Sequence, residues 1–321
     1  MFEPSVVAVD DASGKVQAVG EDARRMIGRT PATIRALRPL RQGVIADFDM
    51  TAEMLRYFIR RAGGGTFAFS HVVLCVPSGI TKVERAAVED ATFEAGARRV
   101  SLIEEPMAAA IGAGLPVAEA RGTMIVDIGG GTTEVAVLAL GGIVVWESIR
   151  VGGYEMDDAI VRYVDEAQHL LIGPETAEAA KIACGSAWKS VERRPTEVAG
   201  RDRITGLLRR TTITSGQVRA AIDQSVGRII DAVKRTLETT PPELAADISS
   251  GGMILAGGGA LLPGIDERIA AESGVRVSLA ESPLECVALG AGSTLEERRA
   301  LEGSAAVRSR VPGVRHKRRR I

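Results

Sequence analysis

The chain has 321 residues and a mass of 33.8 kDa, 45% hydrophobic and 25% charged, proportions of a globular protein long enough for two domains. Its formal net charge of −1 conceals a division: the last 14 residues carry seven Lys/Arg and no acid, which leaves 33 basic against 41 acidic residues, or −8, for the body, and sets aside a general nucleic-acid binder. No apolar run approaches the roughly 18 residues of a membrane span. The start, MFEPSVVAVDD, has no signal-peptide pattern, and three scattered cysteines (Cys75, Cys184, Cys286) form neither a disulfide framework nor a metal spacing, so a reducing cytoplasm is the expected compartment.

In chain order, Val6 to Val9 and Val16 to Val19 are β-prone runs about an Asp-Ala-Ser-Gly turn, a hairpin. Residues 51–62 have Leu55, Phe58 and Ile59 on one helical face. His71 to Val76 is a strand stopped by Pro77, and Thr81 with Glu84 forms a capping box that starts a helix. Val100 to Ile103 is a strand, followed by a helix of small residues with Pro106 in its first turn, where the missing N–H is harmless. Thr123 to Ile128, a glycine turn and Glu134 to Leu140 read as strand, turn, strand; 143–151 adds a third strand. Helices are expected over 154–171, 175–187 and 215–238, the last with Val218, Ile222, Val226, Ile229, Val233 and Leu237 spaced by three and four. Between them 195–214 is polar and strand-like. Met253 to Ala256 and Val275 to Leu279 are strands, a helix follows GGGALLPG, and Ser282 with Glu285 opens the last helix. From Gly303 the chain is polar, basic and without apolar period, which predicts disorder.

Three places can carry chemistry. Asp127-Ile-Gly-Gly-Gly-Thr-Thr-Glu134 follows a buried strand; Gly129, Gly130 and Gly131 allow a close backbone approach, Thr132 and Thr133 add hydroxyls, and Asp127 can hold a hydrated divalent cation. Together they suit a polyphosphate with Mg²⁺, with a plain hairpin turn as the competing reading. A second glycine loop, Gly257-Gly258-Gly259-Ala260-Leu261, has no acid or hydroxyl and suits a stacked base or ribose. Glu178 and Lys181, one turn apart on a helix, either grip ribose hydroxyls or form a solvated i,i+3 ion pair. Glu104 and Glu105, at a strand end, either orient an attacking water or complement a helix N-terminus.

Taken in this order, the motifs resemble the actin-fold ATPases, and within them the bacterial MreB/Mbl rod-shape proteins. The resemblance rests on EPSVVA at 3–8, GRTPATI at 28–34, RPLRQGVIADF at 38–48, CVPSGIT at 75–81, IEEPMAAAIGAGLPV at 103–117, DIGGGTTEVAV at 127–137, TPPELAADI at 240–248, AGGGALLPGID at 256–266 and SPLECVALGAG at 282–292. It implies an α/β, actin-like ATPase fold: two lobes with mixed β-sheets around a nucleotide cleft, residues 1–118 as the first lobe, 119–297 as the second with its last helix returning toward the first, and 298–321 as a basic disordered tail.

The resemblance further implies ATP and Mg²⁺ as cofactors. Asp127 would act on the metal through its waters, and Thr132 and Glu105 would position the attacking water. Gly129 to Thr133 would hold phosphate, Glu178 and Lys181 ribose, and Gly257 to Leu261 the adenosine. Phe67 and Phe69 sit where the family's hydrophobic membrane loop would be, beside Arg60 and Arg61, and read either as an interfacial anchor or as residues buried in the lobe. The implied partners are other copies in a filament, a full-length homologue of the same type, the membrane proteins of cell-wall synthesis and morphogenesis, and the inner membrane surface, the chain being cytoplasmic and peripheral.

The chain departs from the pattern at its front. Members of the family begin with a strand and hairpin bearing Asp-Leu-Gly-Thr-Ala-Asn before EPSVVA, whereas this sequence starts at EPSVVA, so its first lobe is expected to be truncated at its N-terminus. Loss of two or three charge-assisted hydrogen bonds from that loop, at ~1.5–3 kcal/mol each, removes roughly two to six decades of nucleotide affinity. Two expectations therefore stand side by side: a slow actin-type ATPase of the cytoskeleton, and a structural paralogue binding nucleotide weakly or not at all.

Overall fold

A computed structural model of the chain describes residues 1–63, 71–296 and, as a strand, 307–310; Phe67, Phe69 and the rest of the basic tail lie outside the described residues. The described residues fall into two compact units, the first within Met1–Leu74, Ile80–Ile103 and Val307–Ile321, the second within Cys75–Gly79 and Glu104–Ala306. By contacts the second unit thus takes in residues 104–118 as well. No helix among the described residues is long and apolar enough to cross a membrane.

In the first unit the hairpin expected at the front is β1 (Val7–Asp10) and β2 (Val16–Val19), antiparallel. The Asp10 carboxylate accepts the Ala12 and Ser13 N–H groups, which fixes the turn. Helix α1 (Glu21–Arg24) follows, and β3 (Ile34–Leu37) pairs with the other edge of β1. Alternation from Val6, just before β1, into the strand sends Val6 and Ala8 toward Ala23 and Val7 toward Val19 and Met54. Two short strands, β4 (Leu40–Arg41) and β5 (Val44–Ile45), lead to α2 (Phe48–Gly63). This helix starts three residues before the apolar pattern does, because the Asp47 carboxylate accepts the Met50 N–H.

Strand β6 (His71–Val76) and helix α3 (Lys82–Glu94) come next, with the Thr81–Glu84 capping box formed in both directions. Strand β7 (Arg99–Glu104) then pairs beside β6.

The second unit opens with α4 (Glu105–Gly112), Pro106 in its first turn. Strands β8 (Thr123–Ile128), β9 (Thr133–Ala139) and β10 (Gly142–Ile149) form an antiparallel meander. Next come α5 (Gly153–Gln168), β11 (Leu170–Leu171), α6 (Pro174–Cys184), β12 (Thr196–Asp202) and β13 (Leu208–Ile213), the three strands making a small sheet of their own.

Helix α7 (Ser215–Glu238) has the bounds its apolar stripe predicts, and Val218, Ile222, Val226, Ile229 and Val233 are all buried. Pro241-Pro242 does end α7, but Pro242 also starts a further helix, α8 (Pro242–Gly251), since proline is as comfortable at a first turn as after a last one. Strand β14 (Met253–Ala256), a 3₁₀ turn (Gly258–Leu261), α9 (Ile265–Ser273), β15 (Val277–Leu279) and α10 (Cys286–Glu296) complete the unit. Ahead of α10 the Glu285 and Cys286 N–H groups close a turn on the Ser282 carbonyl, so the helix begins later than its cap-like pattern suggests.

The main sheet has the order β10-β9-β8-β14-β15, mixed as expected: β8, β14 and β15 run parallel, and β9 and β10 alternate against them. Every residue of β8 and β9 is buried, and the core of the unit lies between this sheet and α5, α7 and α9.

Where the sequence predicts a disordered tail, β16 (Val307–Arg310) pairs antiparallel with Val100 to Ile103 of β7. An edge strand's unpaired N–H and C=O groups invite such an addition.

Candidate functional site

The two glycine loops meet because of register. Strands β8 and β14 are parallel neighbours with Asp127 opposite Ala256, so the loops after them leave the same end of the sheet side by side. Carboxyl ends of parallel strands are where open α/β sheets place ligands. The contact is too close for side chains. A Cβ on Gly257, whose φ is +79°, would collide with the Asp127 carboxylate and the Ile128 carbonyl; one on Gly259 would strike the Ile128 side chain.

The first loop is a tight turn closed by the Gly129 N–H on the Thr132 carbonyl at 2.9 Å. Its outer side is set by α5: the Gly153 N–H donates to the Gly129 carbonyl at 3.0 Å and the Tyr154 N–H to the Gly130 carbonyl at 2.8 Å. Gly152 lies flat against the loop, where a Cβ would stand 2.5 Å from the Gly129 oxygen. Gly130 is exposed, and Gly129 and Gly131 are half-buried. The two threonines differ. Thr133 is fully buried and donates its hydroxyl to the Val151 carbonyl at 2.8 Å, whereas the Thr132 hydroxyl makes no hydrogen bond among the described residues.

Asp127 is 6% exposed, and its carboxylate has no hydrogen-bond donor among the described residues. Burial raises its pKa to about 6. Beside it stand two more acids. Glu105, the first residue of α4, is pushed up to about 8, by burial first and then by the charges of Asp127 and Glu134. Glu134 faces Asp127 across the β8–β9 ladder. Burial raises it to about 7, although its carboxylate accepts the Ser148 hydroxyl and, at 3.2 Å, the Ser78 N–H. Asp127 is raised by burial alone, and its charge in turn raises Glu105 and Glu134, so the three carboxyls form a site short of positive charge. A divalent cation would supply that charge, and Asp127, lacking any donor among the described residues, could hold it through water. The Thr132 hydroxyl and the Gly130 and Gly131 amides could meet the phosphate oxygens that accompany such a cation, the Gly129 amide being used to close the turn.

Glu105 owes its place to close helix packing. Helix α4 lies against α10 with Gly112 and Gly290 at the crossing: a Cβ on Gly290 would clash with the Ala108 carbonyl, and one on Gly112 with the Cys286 carbonyl. Small residues on both helices let the backbones touch.

These features all lie within the second unit, and a family model described as MreB/Mbl protein matches residues 1–303 of the chain. The chain belongs to the MreB/Mbl family.

It is similar to the cell shape-determining protein MreB of Escherichia coli (strain K12), 51% identical over 300 residues that span 92% of this chain and 86% of that one. It is 47% identical over 295 residues to the cell shape-determining protein Mbl of Bacillus subtilis (strain 168), spanning 92% of this chain and 89% of the other. Among solved structures it is similar to MreB5 of Spiroplasma citri bound to ADP, with a TM-score of 0.88, 36% identity and coverage of 94% and 92%. The MamK double helical filament, with a TM-score of 0.76 at 21% identity and 92% coverage of both chains, adds a likeness of fold. The actin-like fold expected from the motifs is thus the fold of the chain.

For an MreB/Mbl chain, the residues that the motifs point to are distributed as follows. Asp127, Gly129 to Thr132 and Gly257 to Gly259 cluster at one sheet end. Ala260 is buried in the core, while Leu261 is 51% exposed. Glu178 and Lys181 are half-buried on α6, and the partner of Lys181 is Asp157 at 2.7 Å. Phe67 and Phe69 lie outside the described residues. Sequence reasoning gave no role to Glu134, Asp157 or Gly152-Gly153. Only the glycine pair carried a signal, as a second close-approach dipeptide just before a helix.

Proposed function

We propose that the chain is an ATP-binding, filament-forming protein of the bacterial actin type, acting at the inner face of the cell membrane to organise cell-wall synthesis and cell shape, with a slow ATPase activity. One observation carries the nucleotide reading: a buried carboxylate without a donor, Asp127, at the mouth of two interlocked glycine loops. It is supported by the ADP and AMPPNP named for the Spiroplasma citri structures, and the filament reading by MamK.

Gly129 to Thr132 would cradle the phosphates, Asp127 would hold Mg²⁺ through its waters, and Gly257 to Gly259 would lie under the nucleoside. The cation supplies charge neutralisation of the polyphosphate. Thr132 and Glu105 would position the attacking water; at about 8 the Glu105 pKa keeps it mostly protonated near neutral pH, and the cation's charge would lower it so that the carboxylate could accept a proton.

Titration of the purified 321-residue chain with ATP, with and without Mg²⁺, combined with pelleting, tests the reading. Micromolar, Mg²⁺-dependent binding with ATP-dependent sedimentation is expected. Absence of binding at millimolar ATP would overturn it and leave the alternative, a structural paralogue that modulates a full-length homologue.

A further inference from the structure

Strand β7 lies between β6 and β16. Val307 to Arg310 pair with Ile103 to Val100, antiparallel and without a shift of register, and both segments belong to the first unit. Without that short ladder, a row of N–H and C=O groups along β7 would have no strand against it among the described residues.

The two strands differ in how well they tolerate an open edge. Natural edges are blunted by charge, proline, bulges or shortness. The run Val100-Ser101-Leu102-Ile103 has no charge, proline or bulge, and all its residues are buried. Its one polar side chain, the Ser101 hydroxyl, is engaged by His71 Nε2 of β6 at 2.8 Å. The tail strand reads V-R-S-R, with Pro312 two residues after it. It is short and charged at alternate positions, and a proline cannot donate to a ladder. An edge covered by β16 is guarded; the edge of β7 alone is not.

What would take the open edge follows from β7 itself. The strand Arg99–Glu104 reads R-V-S-L-I-E. Laid antiparallel on the same strand of a second copy, about a two-fold axis between Ser101 and Leu102, it places Arg99 opposite Glu104 twice and Val100 opposite Ile103 twice. Opposite charges and β-branched pairs directly across an antiparallel ladder are favourable. Self-pairing spans six residues where β16 spans four, and a two-fold contact between like surfaces is the commonest form of homo-oligomer.

We propose that the outer edge of β7 is a strand-pairing surface for a second copy of the chain, and that β16 is the guard that closes it. The partner is defined by its chemistry: an antiparallel strand with a base at one end, an acid at the other and an uncharged run between, which β7 supplies. The contact is separate from the nucleotide site, so a chain that failed to bind ATP would leave it untouched.

The test uses the full chain without nucleotide, so that nucleotide-driven assembly does not contribute, and two variants, Arg308→Pro and Ser309→Pro. Successive N–H groups of a strand point to opposite sides, so one of these prolines removes a bond to β7 and the other replaces an outward N–H. The first should speed hydrogen exchange about tenfold at alternate amides within 100–103. It should also make the chain dimerise in sedimentation velocity as concentration rises, with those amides protected again in the dimer. A synthetic peptide of residues 304–312 should dissociate that dimer. Adding Arg99→Glu should weaken it about tenfold, and R99E with E104R should restore it, because the symmetric register makes both charge pairs at once.

Exchange at 100–103 unchanged by either proline overturns the proposal. So does exposure of those amides with no dimer at millimolar concentration, a dimer in which they stay exposed, or a dimer indifferent to Arg99→Glu. If the proline variants do not fold, the unaltered chain decides: alternate amides within 307–310 should exchange more slowly than in the free 304–312 peptide, and rates equal to the peptide's overturn the proposal.

Discussion

At the scale of single residues, Glu105, Asp127 and Glu134 make the nucleotide-free protein sensitive to alkali. Each binds its proton more tightly in the folded state than in the unfolded chain: about 8 against 4.5 for Glu105, about 6 against 3.8 for Asp127, about 7 against 4.5 for Glu134. Between those limits the native state holds more protons, so stability falls as pH rises. Without Mg²⁺ or nucleotide, the melting temperature should drop from about pH 5 to about pH 8, and Glu105→Gln should flatten the upper part of that slope. A melting temperature constant across the range would refute the shifts. With Mg²⁺ and ATP present, Glu105→Gln should retain binding and lose about 100- to 10,000-fold in phosphate release, the usual worth of a proton acceptor; unchanged release would remove Glu105 from the chemistry. Asp127 was legible in the sequence because a buried strand ending in an acid and three glycines has few uses. Glu134 was not. It sits in the alternation of β9 like any strand residue, and its partners Ser148 and Ser78 are 14 and 56 positions away.

At the scale of elements, glycine has opposite meanings on two helices, and alanine substitution separates them. Gly227 lies within α7, where a Cβ would meet nothing within 4 Å. Gly227→Ala should stabilise the protein by about 0.5–1 kcal/mol, the entropy glycine wastes in a helix. Gly290 on α10 is also helical, but there a Cβ would run into the Ala108 carbonyl of α4. Gly290→Ala should instead destabilise by about 1–3 kcal/mol and slow phosphate release, since displacing α4 moves Glu105. Chemical denaturation of the two variants gives the signs, and stabilisation by Gly290→Ala would disprove the close crossing. The same contrast explains which elements could be read in advance. The α7 stripe is periodic from Val218 to Leu237 within a helix of 24 residues and set its bounds. Helix α8 was hidden by a proline pair that reads equally as an end and a beginning, and β3 pairs with β1 across 24 residues or more with no local turn to announce it.

At the scale of the whole molecule, each residue that carries the nucleotide reading belongs to the second unit, and this has a measurable consequence. A ligand that binds only the native state stabilises it by RT ln(1 + [L]/Kd), about 2.7 kcal/mol at 100 times Kd. That gain goes to whichever cooperative unit makes the contacts, since local and subglobal openings have their own free energies. Glu105, Asp127, Gly129 to Thr132, Glu134, Glu178, Lys181 and Gly257 to Gly259 all lie in Glu104–Ala306, as does the Ser148 hydroxyl on Glu134, and the Ser78 N–H on Glu134 lies in Cys75–Gly79. Hydrogen exchange with saturating Mg²⁺-ATP should therefore slow most within 75–79 and 104–296, with the largest factors at the amides of β8, the Gly129 turn and the start of α5. Strands β1 to β3, with their own small cores around Ala8 and Met54, should change little. Protection as strong in β1 to β3 as in β8 would show that the first unit also supplies ligand contacts. Protection confined to the second unit would mean that its two glycine loops and three carboxyls are sufficient to hold the nucleotide.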